Sequence, residues 1–256
     1  MKRFGLFFAD ILGWFWRLIP GGLRTGLLTG ILVLDSRHVL PSKGLVRLLQ
    51  LRDRLDWIIN ERSMAYGSGE HPKHRLTRYH NFFCERVADV DRVLDVGCGY
   101  GAVARSIANA HPNSKVTGID QDRPRLTQAI ASKNPPNLNF IEGDATQMVP
   151  QGPWSVVVLS NVLEHISKRV DFLRALQAST GASRYLIRVP LFERDWQMAL
   201  RRELGVDFRS DDDHKVEHTL AEFLEELSLA GLRPVELKTL WGEIWTECRL
   251  VGDEVR

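Results

Sequence analysis

The run Val93-Leu94-Asp95-Val96-Gly97-Cys98-Gly99-Tyr100-Gly101-Ala102-Val103-Ala104 constrains this chain more than any other stretch. A short apolar run carrying one acidic residue leads into three glycines at alternate positions, and a helical pattern follows. Such a segment hands a parallel strand to a helix and brings bare backbone against a ligand. Glycine adopts the positive φ angles of so tight a turn and removes the Cβ that would hold the ligand off. The N–H groups of the new helix point at the ligand, and the helix dipole favours negative charge there. A nucleotide-like cofactor is the expected occupant. Gly97-x-Gly99-x-x-Ala102 also fits the dinucleotide-binding pattern, whose last position takes Gly or Ala, so other residues must decide which cofactor is meant.

From Arg92 onward strands and helices alternate. Strands are predicted at 92–96, 115–119, 138–142, 155–159 and 184–189, with helices at 102–110, 123–132 and 168–179. The unbroken apolar run Ser155-Val156-Val157-Val158-Leu159 suits a strand covered on both faces. This alternation predicts a doubly wound, mostly parallel sheet. A loop is expected over 190–215 and a helix over 219–230. Two β-like runs, 235–240 and 244–251, then flank Trp241-Gly242 too closely for a crossover helix, so they should pair antiparallel. At 256 residues the chain can bury a full core. It divides on this reading into an N-terminal helical extension and lid, 1–88, and a cofactor-binding domain, 89–256.

The candidate strands end in polar residues. Asp120 closes Val116-Thr117-Gly118-Ile119-Asp120, where a carboxylate about twenty residues after the glycine turn can accept from both ribose hydroxyls. The rival role for Asp120 is to cap the helix that starts near Arg123. Asp144, in Phe140-Ile141-Glu142-Gly143-Asp144-Ala145, is placed to accept from the exocyclic amine of an adenine. Ser160-Asn161-Val162-Leu163-Glu164-His165-Ile166 follows the fourth strand. In an open α/β sheet ligands bind outside the strand C-termini, so Asp95, Asp120, Asp144 and Asn161 mark one rim.

Together, Asp95-x-Gly97-x-Gly99-x-Gly101, Asp120, Gly143-Asp144-Ala145 and the Ser160–Ile166 segment resemble the small-molecule and glycan branch of the class I methyltransferases, which use S-adenosylmethionine (SAM). The likeness covers roughly residues 90–250. It implies a seven-stranded sheet of order 3-2-1-4-5-7-6 with strand 7 antiparallel. It also implies that Asp95, Gly97, Cys98, Gly99 and Gly101 form the methionine-side loop. Asp120 and Gln121 would hold the ribose, Asp144 and Ala145 would flank the adenine, and Ser160 and Asn161 would line the floor near the methyl. The implied activity is methyl transfer to oxygen or nitrogen of a small-molecule or glycan acceptor. The rival readings are an NAD-dependent oxidoreductase, against which Asp95, Gly101 and the Asn161 segment stand, and a non-catalytic module that keeps the fold to dock on a membrane or partner.

No residue is assigned as catalytic. Methyl transfer needs chiefly that the acceptor be held in near-attack geometry, and a base is required only for a hydroxyl or protonated amine. His74, Arg75 and Tyr79 lie in the segment ahead of the glycine turn and are candidate lid or acceptor contacts, with ordinary surface roles as the alternative. His165 has packing or capping as its rival role. Arg188 and Trp196, at the end of the fifth strand and in the loop beyond, are acceptor-side candidates, as is His214. The run Asp211-Asp212-Asp213-His214 suggests a metal, but adjacent acids point in different directions, and a solvated or helix-capping run is the expected reading. No metal is expected.

Charge is uneven: residues 1–80 hold 13 Lys and Arg against 6 Asp and Glu, while the rest holds 21 against 26. The basic residues are dispersed and no recognition motif occurs, so no nucleic acid partner is expected. Three cysteines, Cys84, Cys98 and Cys248, have no metal-ligand spacing and suit reduced thiols in a cytoplasmic protein. Residues 1–35 read as two short apolar helices around Pro20-Gly21-Gly22. Phe4, Phe7, Phe8, Ile11, Leu12, Phe15, Leu18 and Ile19 share one helical stripe, flanked by Trp14 and Trp16. The segment is too short to span a bilayer and suits either peripheral membrane contact or docking on its own domain or a second copy. Docking is favoured on sequence grounds, because the polar face is small rather than rich in Lys and Arg.

Overall fold

The computed structural model describes residues 12–252, so Phe4, Phe7, Phe8 and Ile11 of the apolar stripe lie outside the described residues. Backbone packing divides the chain into two compact units. One comprises residues up to 63 together with 201–207; the other comprises 64–200 and 208 onward.

The first unit is helical. Residues 12–16 form a helical turn, and α1 (Gly21–Ser36) and α2 (Pro41–Tyr66) follow, α2 running on past the unit's end. Gly44 sits where α2 passes the end of α1, and a methyl there would collide with the Ser36 carbonyl. Arg201 joins this unit through Asp53 at 2.7 Å and the Leu49 carbonyl at 3.2 Å.

The second unit begins with two short helices, α3 (Lys73–Thr77) and α4 (Tyr79–Cys84). Sequence spacing predicts one helix over 76–87; instead Arg78 takes φ 50° and breaks the chain into two turns. The alternation then runs β1 (Arg92–Val96), α5 (Ala102–Ala110), β2 (Lys115–Asp120), α6 (Arg123–Ala131), β3 (Leu138–Glu142), β4 (Val156–Ser160), α7 (Arg169–Thr180) and β5 (Arg184–Pro190). It closes with α8 (Trp196–Glu203), α9 (Leu220–Leu229), β6 (Leu232–Leu240) and β7 (Glu243–Leu250). The expected loop over 190–215 thus contains a helix, started where the Asp195 carboxylate accepts the Gln197 N–H at 3.0 Å.

The sheet order is β3-β2-β1-β4-β5-β7-β6. Strands β1 to β5 are parallel, and β7 pairs antiparallel with both β5 and β6. This is the order and the single reversed strand that the resemblance implies. Strand β6 starts earlier than the apolar pattern suggests and, as the edge strand of the sheet, accommodates Pro234 next to a bulge at Val235. The central strands are covered on both faces. One core packs Leu94, Val157, Leu159 and Ile187 against Leu173, Leu176, Phe223 and Leu227. The other packs Val93, Val156, Val158 and Leu186 against Ala104, Ile107, Phe82 and Phe83. Residues 79–87, read from the sequence as part of the N-terminal extension, are therefore wall of the sheet unit.

Candidate functional site

The C-terminal edges of the parallel strands carry the polar residues singled out above. Beyond β1 the glycine turn stays bonded to β2: the Gly97 and Cys98 N–H groups both reach the Ile119 carbonyl, at 2.8 and 3.1 Å. Gly97, Gly99 and Gly101 all adopt positive φ, 68°, 53° and 71°. Their surroundings differ. A Cβ on Gly101 would lie 2.5 Å from the Phe140 ring and one on Gly97 2.8 Å from Val162, whereas one on Gly99 would meet nothing within 4 Å. Gly101 and Gly97 are small for packing; Gly99 faces open space.

Asp95 is almost fully buried, and its Oδ2 has no hydrogen-bond partner among the described residues. Burial pushes its carboxyl up to about 7; a bond from the Ala104 backbone N–H opposes the rise and the Asp120 charge adds to it. Asp120 does not cap α6. Its Oδ2 accepts the Gly99 N–H at 2.7 Å and its Oδ1 the Asp122 N–H at 2.7 Å, while Asp122 itself caps the helix by accepting from Arg125 N at 2.9 Å. Each Asp120 oxygen keeps a lone pair for another donor. Asp144 binds its own turn through Oδ1, to Thr146 N at 2.9 Å and Thr146 Oγ1 at 2.7 Å. Ala145 is half-buried beside it, and Gln121 is exposed next to Asp120. Asn161 takes φ 57°, and its Oδ1 is buried without a partner among the described residues. Cys98 is half-buried, and burial raises its thiol far above the ordinary range, which disposes of a catalytic thiolate.

Arg188 organises the floor beyond Ser160. It donates to Ser160 Oγ at 3.2 Å and to Glu243 Oε2 at 2.6 Å, and its guanidinium lies 3.9 Å from the Tyr79 ring centroid. Trp245 Nε1 donates to the same Glu243 oxygen at 2.9 Å. Tyr79 Oη in turn meets His74 Nδ1 at 2.8 Å. Burial lowers the His74 pKa, and it lowers that of neighbouring His80 to about 4, so both rings are neutral near pH 7. Of the acceptor-side candidates, the structure gathers His74, Tyr79, Arg188 and Ser160 into one network. Arg75 and Trp196 are exposed outside it.

His165 and His214 converge separately. Their rings stack edge to face at 4.7 Å between centroids, beside fully buried Glu164. The loop carrying His214 is pinned there by Lys215 N–H donating to the Glu164 carbonyl at 2.7 Å. Sequence reasoning missed Glu243, because its partnership with Arg188 depends on the β5–β7 register. It also missed Glu217 and Arg194, which pair across the loop after β5. It placed Glu164 only inside a motif; a glutamate between apolar Leu163 and Ile166 carried no sign of its complete burial.

Residues 93–180 match the family model described as a methyltransferase domain. A Streptomyces avermitilis trans-aconitate 2-methyltransferase is 29% identical over 177 residues, which are 63% of this chain and 65% of that one. The chain spans less than two thirds of the length of the curated relatives it matches. Among solved structures, the methyltransferase in a complex with the Haloferax volcanii Trm112 activator superposes with TM-score 0.59 at 16% identity, over 77% of this chain and 97% of its own. The O-methyltransferase of neocarzinostatin biosynthesis, in complex with S-adenosyl-L-homocysteine (SAH) and 1,4-dihydroxy-2-naphthoic acid, gives 0.53 at 19%, over 70% of this chain and 55% of its own.

Proposed function

The chain belongs to the class I methyltransferases that use SAM, and on that premise we propose that it moves the cofactor's methyl group to an oxygen or nitrogen of a small-molecule or glycan acceptor. One observation carries the reading. Asp95 Oδ2 and Asn161 Oδ1 are buried acceptors without partners among the described residues, on the same rim where Asp120 and Asp144 end their strands. Buried polar atoms are ordinarily satisfied, so two such acceptors at one edge favour a ligand rich in donors.

The residues fit adenosine and an amino-acid tail. The Asp95 carboxylate suits the ammonium of the tail, and Gly99 leaves room for it beside Gly97, Cys98 and Gly101. Asp120, with Gln121 next to it, accepts from the ribose hydroxyls. The Asp144 carboxylate accepts from the adenine amine while Ala145 lies against the ring. Ser160 and Asn161 border the methyl. When bound, the cofactor supplies an electrophilic methyl on a positively charged sulfur. The chain then has to orient the acceptor and exclude water. Arg188, locked by Glu243 and Tyr79, fixes Ser160 on that side, and neutral His74 can take the proton of a hydroxyl acceptor. Arg75 and Trp196 are exposed outside this network, and His165 and His214 pair with each other beside Glu164, so none of the four is assigned to the acceptor on this reading. Titration calorimetry tests the assignment: one SAM or SAH per chain and no NAD is expected, and failure to bind either overturns it. A labelled-methyl screen of small-molecule and glycan extracts then finds the acceptor.

The helical unit supports a second part of the proposal, a cytoplasmic enzyme resting on an anionic lipid surface. None of α1 is buried, and Leu23, Leu27, Leu28, Ile31 and Leu34 are exposed, as are Leu12, Trp14, Phe15 and Leu18 before it. Docking on its own domain or on a second copy is the rival use of this stripe. Residues 12–66 hold eight Lys and Arg against four Asp and Glu. The four acids, Asp35, Asp53, Asp56 and Glu61, each pair with an arginine, leaving a positive balance. No helix among the described residues is long and apolar enough to cross a membrane. Apolar helices with basic and Trp residues at their margins suit the interface between lipid headgroups and acyl chains.

A further inference from the structure

We propose that Glu164, His165 and His214 form a site for one divalent cation of the zinc and manganese type, at the end of β4. Each offers a ligand atom, and these atoms all lie within 4.8 Å of one another. Donors about 2.1 Å from a tetrahedral metal sit ~3.4 Å apart, so an inward shift of the side chains by about an ångström completes the set.

Glu164 supplies the independent observation. Its side chain is fully buried, and neither carboxylate oxygen has a hydrogen-bond partner among the described residues. A buried carboxylate with both oxygens unsatisfied is a costly arrangement unless a cation completes it. The two histidines are supported as metal-bound histidines are, each with a carboxylate on one ring nitrogen. His214 Nδ1 is 2.9 Å from Glu217 Oε1, and His165 Nδ1 is 3.3 Å from Asp213 Oδ2. Glu217 is itself fixed, accepting from Ser210 N at 2.6 Å, from Ser210 Oγ at 2.9 Å and from Arg194. The His214 hydrogen bond and the His165 contact hold the two rings from outside the cluster, and each imidazole carries a second nitrogen.

The donor set indicates which cation. Two imidazole nitrogens and one carboxylate oxygen suit borderline divalent metals, and three protein ligands leave at least one coordination position open. Magnesium and calcium prefer all-oxygen shells. A second cluster, Asp211, Asp213 and His214, shares His214, but both of its carboxylates are exposed, and neither is a buried acceptor without a partner as Glu164 is. A cation held here, with Glu164 and His165 four and five positions after Ser160 on the chain segment that leaves β4, would be available to orient a hydroxyl or carboxylate oxygen of the acceptor. That use rests on the methyl-transfer reading; the site does not.

The test uses the full chain, stripped with chelator and titrated with Zn²⁺, Mn²⁺ or Mg²⁺ alone by calorimetry, with Mn²⁺ also followed by electron paramagnetic resonance. One Zn²⁺ or Mn²⁺ per chain at micromolar affinity or tighter, with Mg²⁺ at least 100-fold weaker, is the expected result. Glu164→Gln, which keeps the side-chain shape, and His165→Ala, at a half-exposed position, should each weaken binding by at least 30-fold and leave SAH affinity within twofold. No binding by the folded native chain, or equal binding by both variants, overturns the site and leaves Glu164 and His214 as a structural pair. Zinc binding without SAH binding would instead sink the methyltransferase reading alone.

Discussion

Asp120 Oδ2 accepts the backbone N–H of Gly99 at 2.7 Å and so ties the end of β2 to the middle of the glycine turn. One side chain thereby shapes the loop and presents its remaining lone pairs to the rim. Asp120→Ala removes both functions. With hydrogen bonds to a charged group contributing about 1.5–3 kcal/mol, SAH affinity should fall by ~10- to 150-fold by calorimetry. The fold should survive, since Asp120 lies outside both apolar cores.

Gly99 and Gly101 separate ligand from packing. Gly99→Ala introduces a methyl into open space at φ 53°, a backbone strain of about 1 kcal/mol, yet its Cβ occupies the proposed path of the cofactor tail. A melting temperature within a few degrees of native, with SAH binding lost, is expected. Gly101→Ala adds a methyl 2.5 Å from the Phe140 ring at φ 71°. It should destabilise by ~2–4 kcal/mol in denaturant titration.

Burial lifts the Asp95 carboxyl to about 7 from 3.8, so the folded chain holds a proton there that the unfolded chain has released. The contribution of this group to apo-protein stability is therefore greatest below pH 4 and declines as the pH rises through 7. A cationic ligand reverses the preference. SAH affinity should strengthen from pH 6 to pH 8, with proton release visible as a dependence of the binding heat on buffer. Asp95→Asn should abolish the release.

The parallel sheet and its rim were legible because glycine spacing, unbroken valine runs and acids at strand ends are local signals. Asp95, Asp120, Asp144 and Asn161 could be placed without knowing the packing. Glu243 could not, since it reaches Arg188 only through the antiparallel register that pairs Pro190 with Glu243. Glu164 was hidden for a related reason: its burial is imposed by the loop of Lys215 folding back over it, fifty residues downstream. The helix at Trp196 was missed because three charged residues precede and follow its apolar positions and blur the period.

Glu226 links α9 to α7, accepting from Arg169 Nε at 2.8 Å and facing His218 Nε2 at 3.1 Å. Burial alone would raise its pKa, but the bonds from His218 and Arg169 outweigh it and bring the carboxyl to about 2. A carboxyl depressed on folding stabilises fully above its unfolded value near 4.5 and loses that contribution as the pH falls toward 2. Glu226→Gln should cost ~2–3 kcal/mol at pH 7 in urea titration and under ~1 kcal/mol at pH 2.5, close to the folded pKa, because it removes the charge that holds Arg169 and His218.

The exposed helices of the N-terminal unit make the lipid proposal quantitative. Each leucine-sized side chain taken from water contributes about 1.5 kcal/mol or more. Leu23, Leu27 and Ile31 follow one another at helical spacing on α1 and are all exposed, so they enter the interface together. The native chain should float with vesicles containing anionic lipid, and binding should weaken as salt screens the basic residues. Replacing Leu23, Leu27 and Ile31 together by Gln should lower partitioning by at least ~100-fold while leaving SAH affinity unchanged, because none of the residues proposed to hold the cofactor belongs to α1. Light scattering distinguishes the competing occupant. A native chain that dimerises without lipid and fails to float, with the triple variant monomeric, would assign this surface to a second copy instead.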